Sequence, residues 1–184
     1  MTTHGPTSID TVDDLFDRLV ASAIHDDEEA VDLLQHGLQC AARLRAQSAD
    51  DLELQVAGLV HDIGTAIEPD SPDQHARIGA AAIRTLLGPR VARLVAGHAD
   101  AKRYLVAVDA SYRAALSPRS IVTLAAQGGP LDERAAAAFA RGRDTEALVT
   151  LRHADDAAKV AGADAGGLES WRPVVAAVVA GKRA

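Results

Sequence analysis

The chain has 184 residues, enough to bury a hydrophobic core and short enough to favour one domain. Hydrophobic residues make up 48% of it but aromatic residues only 3%, which favours packed helices over a β-sandwich. A net charge of −7 with scattered basic residues argues against nucleic-acid binding, and the single cysteine, Cys40, excludes an intramolecular disulfide. Without a signal-peptide core or a long apolar run, we expect a cytoplasmic protein with no membrane segment.

The hydrophobic spacing predicts helices from the start of the chain. Residues 1–8 have no apolar period and are expected to fray, whereas residues 9–184 are expected to form one domain. Four helices are predicted in the first half, from Ile9 to about Ala23, from Glu28 to Ala46, from residue 52 to Gly64 and from His75 to Gly88. The third of these is apolar almost all round near its end, so we predict that it is buried.

The second half continues the helical pattern. A fifth helix begins at Pro89 and approaches His98, and residues 99–116 are expected to be helical or irregular. Later helices are predicted over residues 117–127, 132–140, 143–162 and 168–181, the last with Pro173 in its first turn. No alternating strand and helix pattern is visible. The sequence therefore predicts an all-α fold, a single compact helical bundle.

Four histidines lie on four successive predicted helices, at His36, His61, His75 and His98. Taken singly, His36, His75 and His98 are best interpreted as hydrogen-bonded core residues or as residues on a solvated helix face. His61 and Asp62, however, close a buried apolar helix, where ionisable groups are costly unless they are paired or bound to a metal. The same dipeptide at His25 and Asp26 lies in an acidic, solvated stretch. Imidazole and carboxylate without a cysteine cluster are the ligands expected for iron, zinc or manganese.

Together with Asp155, these residues match in order the pattern H…HD…H…H…D, and the chain resembles the HD-domain superfamily of metal-dependent phosphohydrolases and oxygenases. The resemblance implies an HD-domain helical bundle with a dinuclear metal site in its core. It places the first metal ion on His36, His61 and Asp155, the second on His75 and His98, and Asp62 as the bridge between them.

Asp155 and Asp156 compete for the last ligand position. We choose Asp155 because Arg152, Asp155 and Lys159 fall on one face of a helix at spacings of three and four residues. Asp156 would point about 100° away from that face, and we interpret it as a solvent-exposed acid.

Four segments outside the predicted metal ligands make the chain similar to one group within the HD-domain superfamily. The chain reads HADAKRYL from His98, LSPRS from Leu116, QGGP from Gln127 and R-x-x-D from Arg152, and in these it resembles the HD-domain diiron oxygenases that cleave carbon–phosphorus bonds of organophosphonates. The resemblance implies two iron ions (Fe2+/Fe3+), O2 as co-substrate and a small anionic substrate. It assigns catalytic roles to Asp62 and Lys102. The substrate-binding candidates are Lys102, Ser120, Arg152, Lys159, Thr65 and Glu29.

Three functions stay open on the sequence alone. The same two sites, with Mn2+ or Zn2+, would suit a phosphohydrolase of a phosphomonoester or nucleotide, because paired metals lower the pKa of a bridging water. A metal-dependent regulatory module without catalysis is a third reading. Lys102, Ser120, Arg152 and residues 127–130 favour the oxygenase, although Thr65 stands where the related oxygenases carry His or Lys. The sequence leaves open whether the protein is a monomer or a homodimer.

Overall fold

A computed structural model describes residues 8–23 and 31–181, and every regular element in these ranges is helical. The helices are α1 Val12–Ser22, α2 Leu33–Gln47, α3 Leu52–Val60, α4 Ile63–Ile67, α5 His75–Val108, α6 Ala110–Ala114, α7 Pro118–Ala126, α8 Glu133–Ala140, α9 Thr145–Asp156 and α10 Arg172–Gly181, with a 3₁₀ turn over Leu168–Trp171. The prediction of an all-α fold is confirmed. Of the end expected to fray, residues 1–7 lie outside the described residues.

Side-chain caps explain where most of these helices begin. At six helix starts the residue before the first turn accepts a hydrogen bond from a backbone N–H of that turn, and these residues are Thr11, Asp32, Asp51, Asp109, Ser117 and Asp132. The cap at Asp32 corrects the predicted start of the second helix at Glu28. Residues 31 and 32 are not helical, and residues 24–30 lie outside the described residues.

The third predicted helix is two helices. α3 ends at Val60, the chain turns at His61 and Asp62, and α4 then runs through Gly64, so the prediction that Gly64 ends the helix is wrong. Gly64 instead lets α4 approach α5, because a Cβ atom there would lie 1.9 Å from the carbonyl oxygen of His75. The sequence signal of a glycine therefore reflects close packing rather than a helix end.

The long helix α5 is bent at Gly88, whose φ of 88° and ψ of 173° interrupt the helix just before Pro89. The predicted break at this point is confirmed, and the second part continues to Val108. α5 packs against α3, α4 and α9, and α2 packs against α3 and α9. The largest group of buried apolar side chains lies between these helices, with Leu38, Val60 and Leu87 inside it. None of the helices described is long and apolar enough to cross a bilayer.

α9 ends earlier than predicted, at Asp156 rather than near residue 162. The chain leaves the helix here because α2 binds the following segment. The side chain of Gln39 donates to the carbonyl of Val160 at 2.8 Å and accepts from its N–H at 3.0 Å, and His36 donates to the carbonyl of Ala158. Lys159 therefore does not share a helical face with Arg152 and Asp155, which corrects that part of the sequence interpretation.

Candidate dinuclear metal site

Four histidines and two aspartates from separate elements meet in the core. α2 supplies His36, the turn between α3 and α4 supplies His61 and Asp62, α5 supplies His75 and His98, and α9 supplies Asp155. All of them are buried except Asp62, whose side chain is one-quarter exposed. The α3–α4 turn and the bend in α5 bring these donors together from positions far apart in the sequence.

Backbone carbonyls orient the four histidine rings. Each ring donates its Nδ1–H to a carbonyl oxygen at 2.6–2.9 Å. The accepting carbonyls belong to Ala158 for His36, Gly58 for His61, Pro72 for His75 and Val95 for His98. A ring whose Nδ1 carries the proton presents the lone pair of Nε2, which is the arrangement that metal-binding histidines adopt.

The Nε2 atoms face each other in two pairs. They are 3.1 Å apart for His36 and His61 and 3.0 Å apart for His75 and His98. Two neutral rings with Nδ1–H leave both Nε2 lone pairs without a partner, and only an added proton or a bound cation between them supplies one. A cation bound by each pair would satisfy both lone pairs, so the donor set fits two metal ions.

The carboxylate of Asp62 lies between the two histidine pairs. Its Oδ2 is 3.7 Å from Nε2 of His36 and 3.4 Å from that of His61, whereas its Oδ1 is 3.4 Å from Nε2 of His75 and 3.5 Å from that of His98. Asp155 adds its Oδ1 to the first pair only, 3.1 Å from Nε2 of His36. Two groups of donor atoms result, and Asp62 belongs to both.

Buried charges make this centre attract cations. Burial opposes protonation of His61, yet the carboxylates of Asp62 and Asp155 outweigh it and raise the pKa of His61 to about 9. Burial alone would raise the pKa of Asp62, but His61, His98 and His75 hold it well below its usual range. The site is therefore built around negative charge that a cation would balance.

A half-open cavity of about 90 Å³ adjoins the histidines and carboxylates. Two cationic side chains that line it are themselves buried, Lys102 from α5 and Arg152 from α9. Burial, assisted by the nearby charge of Arg152, lowers the pKa of Lys102 to about 8. Its Nζ donates to the hydroxyl of Thr123 at 2.7 Å. The pocket thus combines donors for metal ions with cations for an anionic ligand.

Arg152 is held by a network of hydrogen bonds. Its Nη1 donates to Oδ2 of Asp155 at 2.7 Å, its Nε to Oδ2 of Asp156 at 3.0 Å, and its Nη2 to Oδ1 of Asp156. The hydroxyl of Tyr112 accepts from Nε of Arg152 at 2.9 Å and donates to Oδ2 of Asp156 at 2.7 Å. The interpretation of Asp156 as a solvent-exposed acid is therefore wrong, because its carboxylate pairs with a buried guanidinium.

A model of the HD domain matches residues 30–127, more than half of the chain. The match contains His36, His61, Asp62, His75 and His98. The chain belongs to the HD-domain family. Asp155 lies beyond the matched segment, on the helix that closes the first histidine pair of this HD domain.

Two curated relatives align with the chain along most of their length. The chain is 32% identical over 157 residues to hydroxymethylphosphonate dioxygenase of Gimesia maris, covering 80% of this chain and 78% of that protein. It is 30% identical over 159 residues to [1-hydroxy-2-(trimethylamino)ethyl]phosphonate dioxygenase (glycine-betaine-forming) of Leisingera caerulea, covering 82% of this chain and 81% of that protein. The resemblance to phosphonate oxygenases extends beyond the short motifs.

The remaining substrate-binding candidates of this HD domain have different positions. Ser120 is buried in α7, where its hydroxyl accepts from that of Ser117 at 3.1 Å, and Thr65 lines the same cavity from α4. Lys159 lines the cavity from the segment after α9. Glu29 lies outside the described residues. The fold thus brings every described candidate to one pocket.

Sequence reasoning missed Thr123 in this pocket and Tyr112 in its network. Thr123, which bonds Lys102, follows Ser120 by three residues and precedes Gln127 by four, so the polar spacing along α7 indicates a common face. Tyr112 carries no such signal, because only the tertiary fold brings α6 to Arg152.

Proposed function

We propose that this protein is an O2-dependent diiron dioxygenase that cleaves the carbon–phosphorus bond of a small organophosphonate. Both relatives are dioxygenases that act on phosphonates, and each aligns with about four-fifths of this chain. The alternative function, hydrolysis of a phosphomonoester or nucleotide with Mn2+ or Zn2+, is less well supported, because neither relative is named as a hydrolase. The observation that carries the proposal is the burial of Lys102 and Arg152 in the pocket that also holds the histidine and aspartate cluster.

The two donor groups would each hold one iron ion. His36, His61 and Asp155 would bind the first, His75 and His98 the second, and Asp62 would bridge them through its two oxygens. When bound, the iron pair would activate O2, which accepts the electrons removed from the carbon next to phosphorus. Nitrogen and oxygen donors in this combination suit iron.

Lys102 and Arg152 would bind the phosphonate group. The guanidinium binds two oxygens at once, and the ammonium adds a compact positive charge, so together they orient the substrate and neutralise its charge. Both lie in a chain of net charge −7, so a local cluster of cations is needed to attract an anion. Ser120 would add a hydroxyl donor.

Lys102 and Asp62 are the catalytic residues in this proposal. Lys102 holds a proton at Nζ beside the phosphonate and would neutralise charge on the leaving phosphate. Asp62 holds the two halves of the site at a fixed separation. Thr65 and Lys159, which line the same cavity, would surround the substituent on carbon.

Oxygen dependence tests this function. Iron-loaded, reduced protein is incubated in an oxygen-electrode cell with a panel of phosphonates that includes hydroxymethylphosphonate, and in parallel under argon with nucleotides and phosphomonoesters. We expect O2 uptake coupled to phosphate release in the first case and no phosphate release in the second. Phosphate release from phosphomonoesters under argon, with no turnover of phosphonates in air, would contradict the proposal.

A further inference from the structure

Arg152 is bonded on two sides by neighbouring residues. Its Nε and Nη2 both donate to the carboxylate of Asp156, and Nη1 donates to Asp155. Asp155 in turn places its other oxygen 3.1 Å from Nε2 of His36. One carboxylate therefore faces the histidines and the other lies behind the guanidinium.

These bonds leave donors for a ligand. A guanidinium has five N–H groups, and the bonds to described residues use one each on Nε, Nη1 and Nη2 of Arg152. One N–H remains on Nη1 and one on Nη2 for an anion in the cavity that Arg152 lines. Two such N–H groups match two oxygens of a phosphonate.

A second cavity of about 240 Å³ lies behind this network and is lined by Tyr112, Leu116, His153, Asp156 and Lys159. Arg152 lines only the first cavity, so Asp156 and Tyr112 stand on the side of the guanidinium that faces the second one. Asp156 holds Arg152 with two hydrogen bonds, and the hydroxyl of Tyr112 bonds both of these residues.

We propose that Asp156 and Tyr112 are positioning residues that hold Arg152 with its remaining N–H groups toward the phosphonate site. This inference rests on the proposed function, because it assigns the same anion to the same pocket. Asp156 and Tyr112 do not themselves line the cavity beside the histidines. They act through Arg152, as residues behind a metal ligand act through that ligand.

The test measures binding of methylphosphonate and inorganic phosphate to the metal-loaded protein under argon by titration calorimetry. Asp156→Asn keeps the size of the side chain but places an amide group against the guanidinium, and we expect binding about 10- to 100-fold weaker. Tyr112→Phe removes one hydroxyl, and we expect roughly two- to tenfold weaker binding. Both variants should retain the metal content of the wild type.

A double-mutant cycle separates positioning from a general structural effect. In an Arg152→Ala background, Asp156→Asn should change the affinity by less than about twofold, because the group through which it acts is gone. Asp51→Asn is the matched control. Asp51 accepts two hydrogen bonds from Arg90, both of 2.6 Å, outside the pocket, so its loss should leave anion affinity unchanged.

The outcomes are distinct. If the wild type binds neither anion, the proposed function fails and this inference fails with it. If the wild type binds and Asp156→Asn and Tyr112→Phe bind equally tightly, only the positioning role is overturned. An equal loss of affinity from Asp156→Asn with and without Arg152, or loss of metal in Asp156→Asn, would also overturn it.

Discussion

At Asp62, two oxygens of one side chain face two different histidine pairs. The distances from Oδ2 to His36 and His61, and from Oδ1 to His75 and His98, are all 3.4–3.7 Å. A carboxylate in this position adds negative charge to both donor groups at once. The two proposed metal sites are therefore coupled through one residue.

Asp62→Ala should empty both metal sites, whereas His75→Ala should remove mainly the second ion. The first site would still have His36, His61, Asp155 and one oxygen of Asp62 in the second variant. Elemental analysis after dialysis measures the stoichiometry. Two ions per chain in Asp62→Ala would refute the bridging role.

Lys102→Met should raise stability and reduce anion binding. The pKa of Lys102 falls from 10.5 to about 8 in the folded protein, so below about pH 8 the folded protein keeps the charged form at a cost in stability relative to the unfolded chain. As pH rises from about 8 to 10.5, the unfolded chain binds the additional proton, and wild-type stability should increase through that window. After the lost bond to Thr123 is subtracted, we expect a gain of about 1–2 kcal/mol at pH 7.

Urea unfolding of chelator-treated wild type and variant, at pH 7 and at pH 10, measures the Lys102 effect. The difference in free energy of unfolding between Lys102→Met and wild type should be smaller at pH 10, because Lys102 is then mostly uncharged in the folded protein. A variant less stable than wild type at pH 7 would contradict the account of Lys102 as a buried charge kept at a cost in stability.

At the scale of the elements, glycines and helix ends position the site. Gly64 allows α4 to contact the first turn of α5, which places Asp62 beside His75. α9 ends at Asp156, and the next residues bond to His36 and Gln39 on α2. The first contact positions the pair His75 and His98 next to Asp62, and the second fixes His36 of the other pair beside the end of α9.

Gly64→Ala should destabilise the protein by about 3 kcal/mol or more, because the added Cβ would meet backbone atoms of His75 that no rotamer change can move. It should also weaken metal binding by separating α4 from α5. Gly167→Ala is the control, since nothing lies within 4 Å of a Cβ there. Thermal denaturation of both variants makes the comparison, and equal melting temperatures would contradict the packing argument.

The sequence predicts the helices well where local signals decide them. The helix start at residue 117 and the break at Gly88 depend on local signals, and the structure confirms both. The turn between α3 and α4 and the end of α9 were not predicted, because contacts with distant residues decide them. For the same reason the spacing argument leaves Asp156 in solvent, although Tyr112 and Arg152 both donate hydrogen bonds to its carboxylate.

For the molecule as a whole, the proposed metal ions would connect helices from both halves of the chain. Donors from α2, the α3–α4 turn, α5 and α9 meet at one centre, and the unfolded chain does not hold them together. If the free ions are present at about a thousand times their dissociation constant and bind only the folded state, they add about 4 kcal/mol to the free energy of unfolding. The metal content should therefore set the thermal stability of the entire fold.

Chelation should lower the melting temperature of the wild type by about 10 °C. The same treatment should have little effect on Asp62→Ala, which is expected to lack the ions. Scanning calorimetry with and without chelator measures both. A melting temperature that does not change on removal of metal would show that the histidine and aspartate cluster does not hold the helices together.

Isotope labelling tests the central claim, that this HD domain is a phosphonate dioxygenase, most directly. Iron-loaded, reduced protein is supplied with a phosphonate substrate and ¹⁸O2 in unlabelled water, and the phosphate and organic product are analysed by mass spectrometry. The account predicts that label from ¹⁸O2 enters the products in step with oxygen consumption. Products that contain oxygen from water alone, formed equally fast without O2, would contradict it.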